Sequence, residues 1–591
     1  MINVLLAEIA VAGVAELYGE HIDTSAVQIQ ETKKEFVGDL TIVVFPLLKL
    51  SKKSPSDTAA ELGSYISTNC ISVTEFNVVK GFLNLEISNS YWLSSMSAIS
   101  NDADYGYIKQ NTGKTFMVEY SSPNTNKPLH LGHLRNIFLG DSVTNILKAN
   151  GHQVYRTQII NDRGIHICKS MYAWLKFGNN ETPETAGLKG DKLVGKYYVE
   201  FDRIYKQEIT ELIAAGVTEE EAKKTAPSII EAQKMLIRWE SKDPEIYNLW
   251  KKMNSWVYEG FSKTYQSMNV EFDRLYYESD TYIGGKEVVE KGVNKGLFYR
   301  KEDSSVWVNL AAWKLDDKLL LRADGTSVYM TQDIGTAIQR HKDFPGLSGL
   351  IYTVGNEQEH HFKVLFAILE TLGFDWAKEC SHLSYGMVDL PSGKMKSREG
   401  TVVDADDLIA TVINDAREMT EERGHLQSLS LTEKETLYNT IGLGGLKYYL
   451  LRVDPKRGMM FDPKESIDLN GNTGPFIQYA FARIQSLLKK AGKRKDIRVD
   501  TDLSLVEKKL IIELLKFPQA INESGTQLNP SLLINYTYDL VKQFNSFYQS
   551  VPILKEVDKD AKNMRIELSR MTSVVIDNSM RLLGIDVPAQ M

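Results

Sequence analysis

The chain has 591 residues, more than one hydrophobic core usually organises, so we expect several structural units. Hydrophobic residues make up 43% of the sequence and charged residues 25%, and no apolar run approaches the roughly 20 residues that a membrane helix needs, so we expect no membrane insertion. The net charge of -8 argues against binding polyanions in general, but it leaves room for one locally basic surface for a particular nucleic acid.

The N-terminus and the cysteines indicate the compartment. The first 19 residues are apolar, but they lack a basic start and are interrupted by Glu8 and Glu16, so they predict a helix rather than a signal peptide. Cys70, Cys168 and Cys380 lie far apart and form no CxxC pair, which predicts neither a disulfide framework nor a cysteine zinc site. We therefore expect a protein of the reducing cytoplasm.

Residues 1–112 predict a small α+β domain. A helical pattern covers residues 56–67, and β-like runs cover 41–45 and 82–87. The polar segment from 100 to 113 has the composition of a linker.

A βαβ unit is predicted next. Residues 115–120 form an apolar, β-prone run, which ends abruptly in the polar, proline-containing stretch 121–124. Apolar residues recur at helical spacing over 131–148, and residues 154–160 read as a second strand. Such a unit implies a parallel sheet that binds ligands at the carboxyl ends of its strands.

The remaining chain divides into three patterns. Residues from about 165 to 300 are rich in Lys, Glu, Trp and Tyr and predict a largely helical insertion. Sheet-like runs at 327–331, 349–355 and 383–388 complete an α/β core up to about residue 466. Residues 467–591 are helical in almost every segment, which predicts an all-α C-terminal domain.

The first chemistry-bearing motif is His130-Leu131-Gly132-His133, at the predicted start of the helix that follows the first strand. A helix N-terminus offers free N–H groups and partial positive charge, and Gly132 permits a nucleotide to approach the backbone. Two imidazoles three residues apart lie on one face, where they can donate to phosphate oxygens. Ordinary histidines are the commoner interpretation of a bare HxxH pattern; the strand, turn and helix in register favour a nucleotide site.

The second motif is the glycine-bounded basic loop Gly393-Lys394-Met395-Lys396-Ser397-Arg398-Glu399-Gly400. A cationic loop of this kind can stabilise a departing pyrophosphate. Taken alone, it would be read as a solvated charged turn. Together with the histidine motif, it favours ATP chemistry.

These motifs resemble the signature of the arginyl-tRNA synthetase family, which belongs to the class I aminoacyl-tRNA synthetases. The resemblance runs through residues 119–135, which contain EYSSPN and NKPLHLGHLR, and through 473–480 (TGPFIQYA). It extends to 36–39 (FVGD) and to the C-terminal end 583–591 (LGIDVPAQM). In this order, the landmarks cover essentially the full chain.

The resemblance implies three domains: an N-terminal domain over 1–112 that contacts the tRNA elbow, a Rossmann-type catalytic domain over 113–466 with the helical insertion, and an all-α anticodon-binding domain over 467–591. It also implies an arginine-tRNA ligase for protein synthesis. Such an enzyme forms arginyl-adenylate from arginine and ATP with Mg²⁺, typically with tRNA bound in this family, and transfers arginine to the 3'-terminal adenosine of tRNA(Arg). We expect a monomer that binds no membrane.

The basic loop departs from the family's class-wide KMSKS pattern, which has lysines at its first and fourth positions. Here Lys394 stands first, Lys396 third and Ser397 fourth. Many arginyl enzymes likewise lack the fourth-position lysine, and one just before the histidine motif is thought to take its place; Lys127 stands at that position, although a surface lysine in a turn is the ordinary alternative. The residues predicted to act in catalysis are His130, His133, Lys127, Lys394 and Lys396.

Recognition of arginine should combine a carboxylate facing the guanidinium with polar groups at the amino-acid end. By resemblance, Tyr329 and Asp333 match the side-chain pocket, and Asn124, Asn161 and Gln358 match the groups that hold the α-amino and carboxylate ends. Local sequence gives Asp333 a different interpretation, a helix N-cap before residues 334–340.

His360 and His361 open another predicted helix, so four histidines stand near the site. We expect no zinc, because no acidic or cysteine ligand accompanies them at metal-site spacing. Contact with the ribose or base of ATP is the better hypothesis for His361. The predicted ATP-binding residues are His130, Gly132, His133, Lys127, His361, Met395 and Lys396.

In the C-terminal domain, Phe476, Tyr479 and Met591 match positions that contact anticodon bases. Unpaired bases commonly stack on aromatic rings, which gives Phe476 and Tyr479 a physical rationale. Packing between helices explains the same residues equally well.

Two other classes of protein fit this sequence less well. A non-catalytic RNA-binding relative would be expected to lose a histidine or the basic loop, and this chain keeps both. A small-molecule adenylating ligase of the same fold would be shorter, and it would have no reason to carry the helical tail.

Overall fold

A computed structural model describes residues 2–33, 35–389, 391, 403–422, 429–495 and 497–591. The chain forms two compact units. The first comprises Met1–Tyr105, Ser486–Phe517 and Leu540–Val575, and the second comprises Gly106–Gln485, Pro518–Asp539 and Ile576–Met591. Among the described residues, no helix combines the length and apolarity that crossing a membrane requires.

The N-terminal part of the first unit is an antiparallel sheet with helices. Its elements are α1 (Ile2–Tyr18), β1 (Gln28–Glu31), β2 (Leu40–Val43), α2 (Leu48–Ser51), α3 (Pro55–Asn69), β3 (Val73–Val79), β4 (Phe82–Ile87) and α4 (Asn89–Ile99). The strand order is β1-β2-β4-β3. Lys80 and Gly81 join β3 to β4 with φ of 52° and 83°, a left-handed pair that closes a two-residue hairpin. The α+β prediction is confirmed.

The second unit is built on the predicted βαβ core and a helical insertion. Its first elements are β5 (Thr115–Glu119), α5 (Leu131–Ala149), β6 (Gln153–Ile160), α6 (Ile165–Phe177), α7 (Pro183–Ala186), α8 (Gly190–Ala214), α9 (Glu219–Thr225), α10 (Pro227–Glu240), α11 (Pro244–Ser267), β7 (Arg274–Tyr277) and α12 (Glu278–Asn294). The strand β7 lies within the predicted insertion, yet it pairs with β6. The helices α6 to α11 therefore lie between two neighbouring strands of the sheet.

The chain continues through further strands of the core into a helical C-terminal region. These elements are β8 (Tyr299–Arg300), β9 (Val306–Val308), β10 (Lys318–Leu321), α13 (Tyr329–Asp343), β11 (Gly349–Gly355), α14 (Glu359–Thr371), β12 (Ser381–Tyr385), β13 (Val388–Asp389), α15 (Ala405–Glu422), α16 (Leu431–Leu451), β14 (Met459–Met460), α17 (Pro463–Ser466), α18 (Gly474–Ala491), α19 (Leu505–Leu515), α20 (Phe517–Thr526), α21 (Pro530–Ser550) and α22 (Lys559–Leu582). From α18 onward, every element of the described chain is a helix, as predicted.

The main sheet has the strand order β12-β11-β5-β6-β7, and all of its pairings are parallel. The chain order reverses between β5 and β11. A crevice opens at such a reversal, at the carboxyl ends of the strands, and ligands bind there in open α/β sheets. The Rossmann-type prediction is confirmed, and the fold places the end of β5 at the switch point.

Helix α5 is buried along most of its length against this sheet. Gly140 lies against the ring of Tyr120, and a Cβ at this glycine would stand 2.2 Å from the ring. Only glycine permits this approach, because even a methyl group would force the helix away from β5.

A buried ion pair joins α13 to β5. The guanidinium of Arg340 contacts the carboxylate of Glu119, and their side chains are 1% and 9% exposed. The rings of Tyr276 and Tyr352 lie 5.2 and 5.7 Å from the guanidinium. The pair fixes the helix relative to the first strand of the sheet.

Two predicted strands differ from the structure. Residues 327–331 were expected to form a strand, but α13 begins at Tyr329 and only Ser327 makes a bridge, to Leu321. The hydroxyl of Thr331 donates to the carbonyl of Leu320, so tertiary contact overrides the β-propensity of this stretch. The predicted strand 383–388 is divided into β12 and β13, since the Gly386 N–H donates to Pro455. The antiparallel sheet β8–β10 was not predicted.

Removal of Arg340 should destabilise the second unit strongly. We expect Arg340→Met to lower the free energy of unfolding by about 3–5 kcal/mol, because Glu119 is left charged and buried. Denaturant unfolding measures the change, and Glu119→Gln in the same background should recover part of it.

The control for this experiment is Arg203→Met, which breaks an exposed pair with Glu200 on α8. Exposed pairs contribute at most about 1 kcal/mol, so this variant should unfold close to the wild-type midpoint. Equal losses in the two variants would contradict a special role for the buried pair.

Candidate active site

The turn after β5 directs the chain across the carboxyl edge of the sheet. Ser121 has a φ of 58°, a left-handed conformation that is uncommon for serine. Its N–H donates to Asn136 Oδ1 at 2.6 Å, and Asn136 Nδ2 donates to the carbonyl of Thr353 at 2.6 Å. The Asn136 side chain, buried on α5, thus connects the turn to β11 and fixes the path of the residues that follow.

The histidine motif stands where the sequence predicts it. His130 has an extended backbone and occupies the N-cap of α5, which begins at Leu131. The His130 N–H donates to His133 Nδ1 at 3.1 Å, and the two ring centroids lie 3.8 Å apart. A Cβ at Gly132 would stand 3.2 Å from His130 Cε1, so glycine leaves room for this ring. Both imidazoles are therefore fixed at one helix N-terminus.

Burial keeps the two imidazoles neutral. Desolvation and the charge of Lys127 lower the pKa of His130 to about 3. Desolvation, together with His130 and Lys127, lowers the pKa of His133 well below its usual range. Because His133 Nδ1 accepts a hydrogen bond, its proton resides on Nε2, which is a donor. His130 Nδ1 is buried without a hydrogen-bond partner among the described residues. The pair offers donors without positive charge.

The chain that leads into α15 lies against the histidine motif. Val403 O accepts from the Leu131 N–H at 3.3 Å, and the Ala405 N–H donates to Leu129 O at 2.9 Å. Asp404 and His130 form the antiparallel bridge between these two bonds. The predicted loop residues Lys394, Met395 and Lys396 lie outside the described residues.

Two of the residues predicted to hold the α-amino and carboxylate ends of arginine lie side by side. Asn124 is exposed, and it makes a parallel bridge with Asn161 just beyond β5 and β6. The Asn161 N–H donates to Pro123 O at 3.0 Å, and its Nδ2 donates to Ser122 O at 3.2 Å. Gln358 is exposed in the short 3-10 segment before α14.

The N-cap interpretation of Asp333 is wrong. Val328 is the N-cap of α13, and Asp333 lies one turn inside the helix, four residues after the exposed Tyr329. Its Oδ2 pairs with His361 Nε2 at 2.6 Å, while the Asp333 side chain stays 40% exposed. Tyr329 and Asp333 share one face of the helix, as a pocket for a side chain requires.

Sequence reasoning missed Glu278, the first residue after β7. Burial raises the pKa of this half-buried carboxyl to about 7; Arg163 lowers it, and Asp162 and Asp333 raise it further. In the amide orientation that satisfies both neighbours, Gln332 donates to Glu278 Oε1 at 3.0 Å and accepts from Arg163 Nη1 at 2.8 Å. A carboxylate at the end of a parallel strand is a signal for a ligand, but β7 was hidden in the predicted insertion.

The three residues predicted to contact the anticodon have different environments. Phe476 is half-buried with its ring 5.6 Å from that of Tyr538, whereas Tyr479 is 41% exposed. Met591 packs against a buried cluster formed by Ala416, Leu437, Tyr438 and Ile441. Of the two aromatic residues, Tyr479 offers the more accessible ring.

Family models match nearly the whole chain. The catalytic domain described as "tRNA synthetases class I (R)" matches residues 95–462, the arginyl tRNA synthetase N-terminal domain matches 4–87, and the DALR anticodon-binding domain matches 477–591. The boundaries that we drew at 112 and 466 stay predictions.

Curated relatives share more than half of the sequence. The arginine--tRNA ligase of Flavobacterium psychrophilum is 57% identical over 96% of each chain, and that of Bacteroides thetaiotaomicron is 53% identical over 98% of each. The solved arginyl-tRNA synthetase of Thermus thermophilus covers 100% of both chains with a TM-score of 0.79 at 23% identity. The solved arginyl-tRNA synthetase of Plasmodium falciparum has a TM-score of 0.76 at 18% identity, and the likeness to these two structures establishes the fold.

The low pKa values of His130 and His133 predict that neither ring of the free protein titrates between pH 5 and 8. Selective ¹⁵N-histidine labelling measures this, and His133 should show the Nε2–H tautomer. The urea-unfolded protein is the reference, since unfolded histidines titrate around pH 6.5.

The lowered pKa values of His130 and His133 also make the free energy of unfolding depend on pH. Below pH 6.5 the unfolded state binds protons that the folded rings do not, so the free energy of unfolding should fall progressively from about pH 6.5 toward the pKa of about 3 that His130 has in the folded protein. A titration midpoint near 6.5 for either ring in the folded protein would contradict the neutral pair.

Proposed function

The chain belongs to the arginyl-tRNA synthetase family, and we propose that it activates arginine at the crevice between the histidine motif and α13. Charging tRNA(Arg) with arginine in protein synthesis is the activity of the chain, and ATP supplies the energy. The observation that carries the proposed site is the pair of neutral imidazoles fixed at the start of α5.

The reaction proceeds in two steps. A carboxylate oxygen of arginine attacks the α-phosphorus of ATP, the bond to pyrophosphate breaks, and arginyl-adenylate forms. A ribose hydroxyl of the terminal adenosine of tRNA(Arg) then attacks the carbonyl carbon, and AMP leaves. Charge builds on the phosphate oxygens in the first step, where fixed donors in a dry site stabilise it most.

The histidines supply such donors. His133 Nε2–H and the ring of His130 face a helix N-terminus, whose partial positive charge adds to their effect. Because their pKa values are low, they donate without changing protonation at neutral pH. We assign Lys127 to a phosphate oxygen, since its charge already acts on both rings. Roles for Gly132, Lys394, Met395 and Lys396 at ATP stay predictions.

Magnesium enters this proposal as part of the substrate, MgATP. No cluster of three or more His, Cys, Asp or Glu side chains that could hold a metal ion occurs among the described residues.

Two carboxylates fit the guanidinium of arginine. Asp333 and Glu278 lie close enough for the charge of one to raise the pKa of the other, and a cation between them would relieve that repulsion. His361 holds one Asp333 oxygen, which orients the carboxylate; its predicted contact with ATP stays a prediction. Tyr329 would cover the side chain, and Asn124, Asn161 and Gln358 would hold the amino-acid end.

Recognition of the tRNA by Phe476, Tyr479 and Met591 remains part of the proposal. The accessible Tyr479 ring is suited to stacking on an unpaired base, whereas the packed environment of Met591 favours a positioning role for the C-terminus. A monomeric state and a cytoplasmic location are likewise expectations.

Replacement of His133 should impair chemistry more than binding. We expect His133→Ala to lower kcat for arginylation of tRNA(Arg) by about 10²-fold, because a transition-state donor is lost, with little change in KM for arginine. Steady-state charging assays measure both values. His21→Ala, which alters an exposed histidine of the first unit, is the control. Wild-type kcat in His133→Ala would exclude this residue from catalysis.

Arginine binding should follow the ionisation of Glu278. With a pKa of about 7, Glu278 is about one-tenth ionised at pH 6 and about nine-tenths at pH 8, so KM for arginine should fall by up to about 10-fold over that range. Glu278→Gln should raise KM and abolish its pH dependence. The matched control is Glu287→Gln, an exposed carboxylate on the same helix.

Asp333→Asn should lower kcat/KM for arginine by about 10²-fold or more while leaving KM for ATP nearly unchanged. If neither carboxylate variant alters KM for arginine, the guanidinium binds elsewhere.

A further inference from the structure

One face of α8 lies along the segment that carries the histidine motif. Lys189 is the N-cap of α8, and Lys192 and Gly195 follow at steps of three residues, so each of these residues neighbours the next on the helix surface. A Cβ at Gly195 would stand 2.8 Å from Pro128 Cδ and 3.6 Å from Lys127 Cα. The helix of the insertion thus touches the chain that leads into His130.

Lys189 is the centre of a half-closed polar cluster. Its side chain is 16% exposed, and its ammonium contacts the carboxylate of Asp406 and lies 3.2 Å from Asp191 Oδ2. It also donates to Thr264 Oγ1 at 2.5 Å, and that hydroxyl donates to Asp406 Oδ1 at 2.8 Å. One lysine therefore joins α8 and α11 of the insertion to the first turn of α15.

The buried carboxylate of Asp191 depends on the positive charge of Lys189. The Asp191 side chain is fully buried, and neither oxygen has a hydrogen-bond partner with good geometry in the described chain. A Cβ at Gly260 of α11 would stand 2.4 Å from Asp191 Oδ1, so the carboxylate is enclosed. Lys189 is the cation that balances both Asp191 and Asp406, and its removal would leave two carboxylates facing each other.

Lys192, three residues further along the chain, also binds the first turn of α15. Its ammonium lies 3.3 Å from Asp404 Oδ1 and 2.7 Å from Asp407 Oδ1. Asp404 Oδ1 also accepts from the N–H groups of Asp406 and Asp407 at 2.9 and 3.2 Å, which caps α15. Asp404 is the residue that bridges His130.

We propose that α8 is a positioning element of the ATP site, in which Lys189 and Lys192 hold the first turn of α15 against the histidine motif. The path runs from the lysines through Asp404 and Asp406 to the backbone bonds at Leu129 and Leu131. Neither lysine needs to touch a substrate. The inference rests on the proposed function only in taking the histidine motif as the ATP site, and it gives the insertion a role in activation.

The experiment compares Lys189→Met with Lys263→Met in the full-length enzyme. Lys263 forms an exposed pair with Glu259 on α11, so its replacement removes a lysine from the neighbouring helix and leaves the hydrogen bonds and ion pairs of Lys189 in place, although the charge of Asp191 also acts on Lys263. ATP–pyrophosphate exchange is measured with arginine and tRNA(Arg) present, and thermal unfolding is recorded for each variant.

We expect Lys189→Met to lower kcat/KM for ATP on the order of 10-fold or more, because small misplacements of binding groups reduce rates strongly. KM for arginine should stay within about two-fold, and Lys263→Met should match the wild type. Asp406→Asn should reproduce the ATP effect, and the double variant should lose less than the product of the two single losses. Additive losses, or equal changes in both KM values, would overturn the proposal.

Gly195→Ala provides a second test that does not depend on the stability of the cluster. Alanine is the better helix former by about 1 kcal/mol, so α8 should remain folded, while its methyl group would stand 2.8 Å from Pro128 Cδ and force Pro128, the neighbour of Lys127, to move. We expect the same selective loss in kcat/KM for ATP, and wild-type kinetics would overturn the inference. A wild-type enzyme that fails to charge tRNA(Arg) would instead contradict the proposed function itself.

Discussion

The buried contact between Glu119 and Arg340 is the constraint on which the site depends. Glu119 is the last residue of β5, which leads into the turn before the histidine motif, and Arg340 lies on α13, the helix that carries Asp333. The two reacting groups, a carboxylate and an α-phosphate, must meet within a few tenths of an ångström of the productive geometry. A buried ion pair contributes little net stability, yet it permits one arrangement of its partners because any other leaves a charge unpaired.

In the proposed site, positive and negative side chains are separated according to the substrate group that each would bind. The neutral imidazoles and Lys127 would bind the phosphates, whereas the two carboxylates, Asp333 and Glu278, would bind the guanidinium. Gln332 links Arg163 to Glu278, since its amide accepts from the guanidinium and donates to the carboxyl. Each region is completed by the opposite charge of its ligand, which favours the substrates over molecules that lack either charge.

Local patterns predicted the elements whose signals are contiguous in sequence. The strand, turn and helix around His130 were predicted in register, because their hydrophobic periods are local. Glu278 was missed because β7 is short and its partner strand is more than a hundred residues away. The Asp333 cap failed because α13 begins at Tyr329, where the Thr331 hydroxyl donates to the Leu320 carbonyl outside the helix. Propensity cannot anticipate such distant contacts.

The position of the insertion between β6 and β7 has a consequence for how the chain folds. These two strands are neighbours in the sheet, so the sheet cannot grow past β6 until the intervening helices have been made. Closing so long a loop costs entropy, although each doubling of its length adds only about 0.6 kcal/mol. Inside the insertion, Trp174 of α6 and Trp256 of α11 bring its two ends together, with ring centroids 5.9 Å apart. If the helices of the insertion pack together first, they bring β7 close to β6, and pairing of the two strands then costs less loop entropy. Because the insertion is synthesised before β7, its helices can pack before β7 is available.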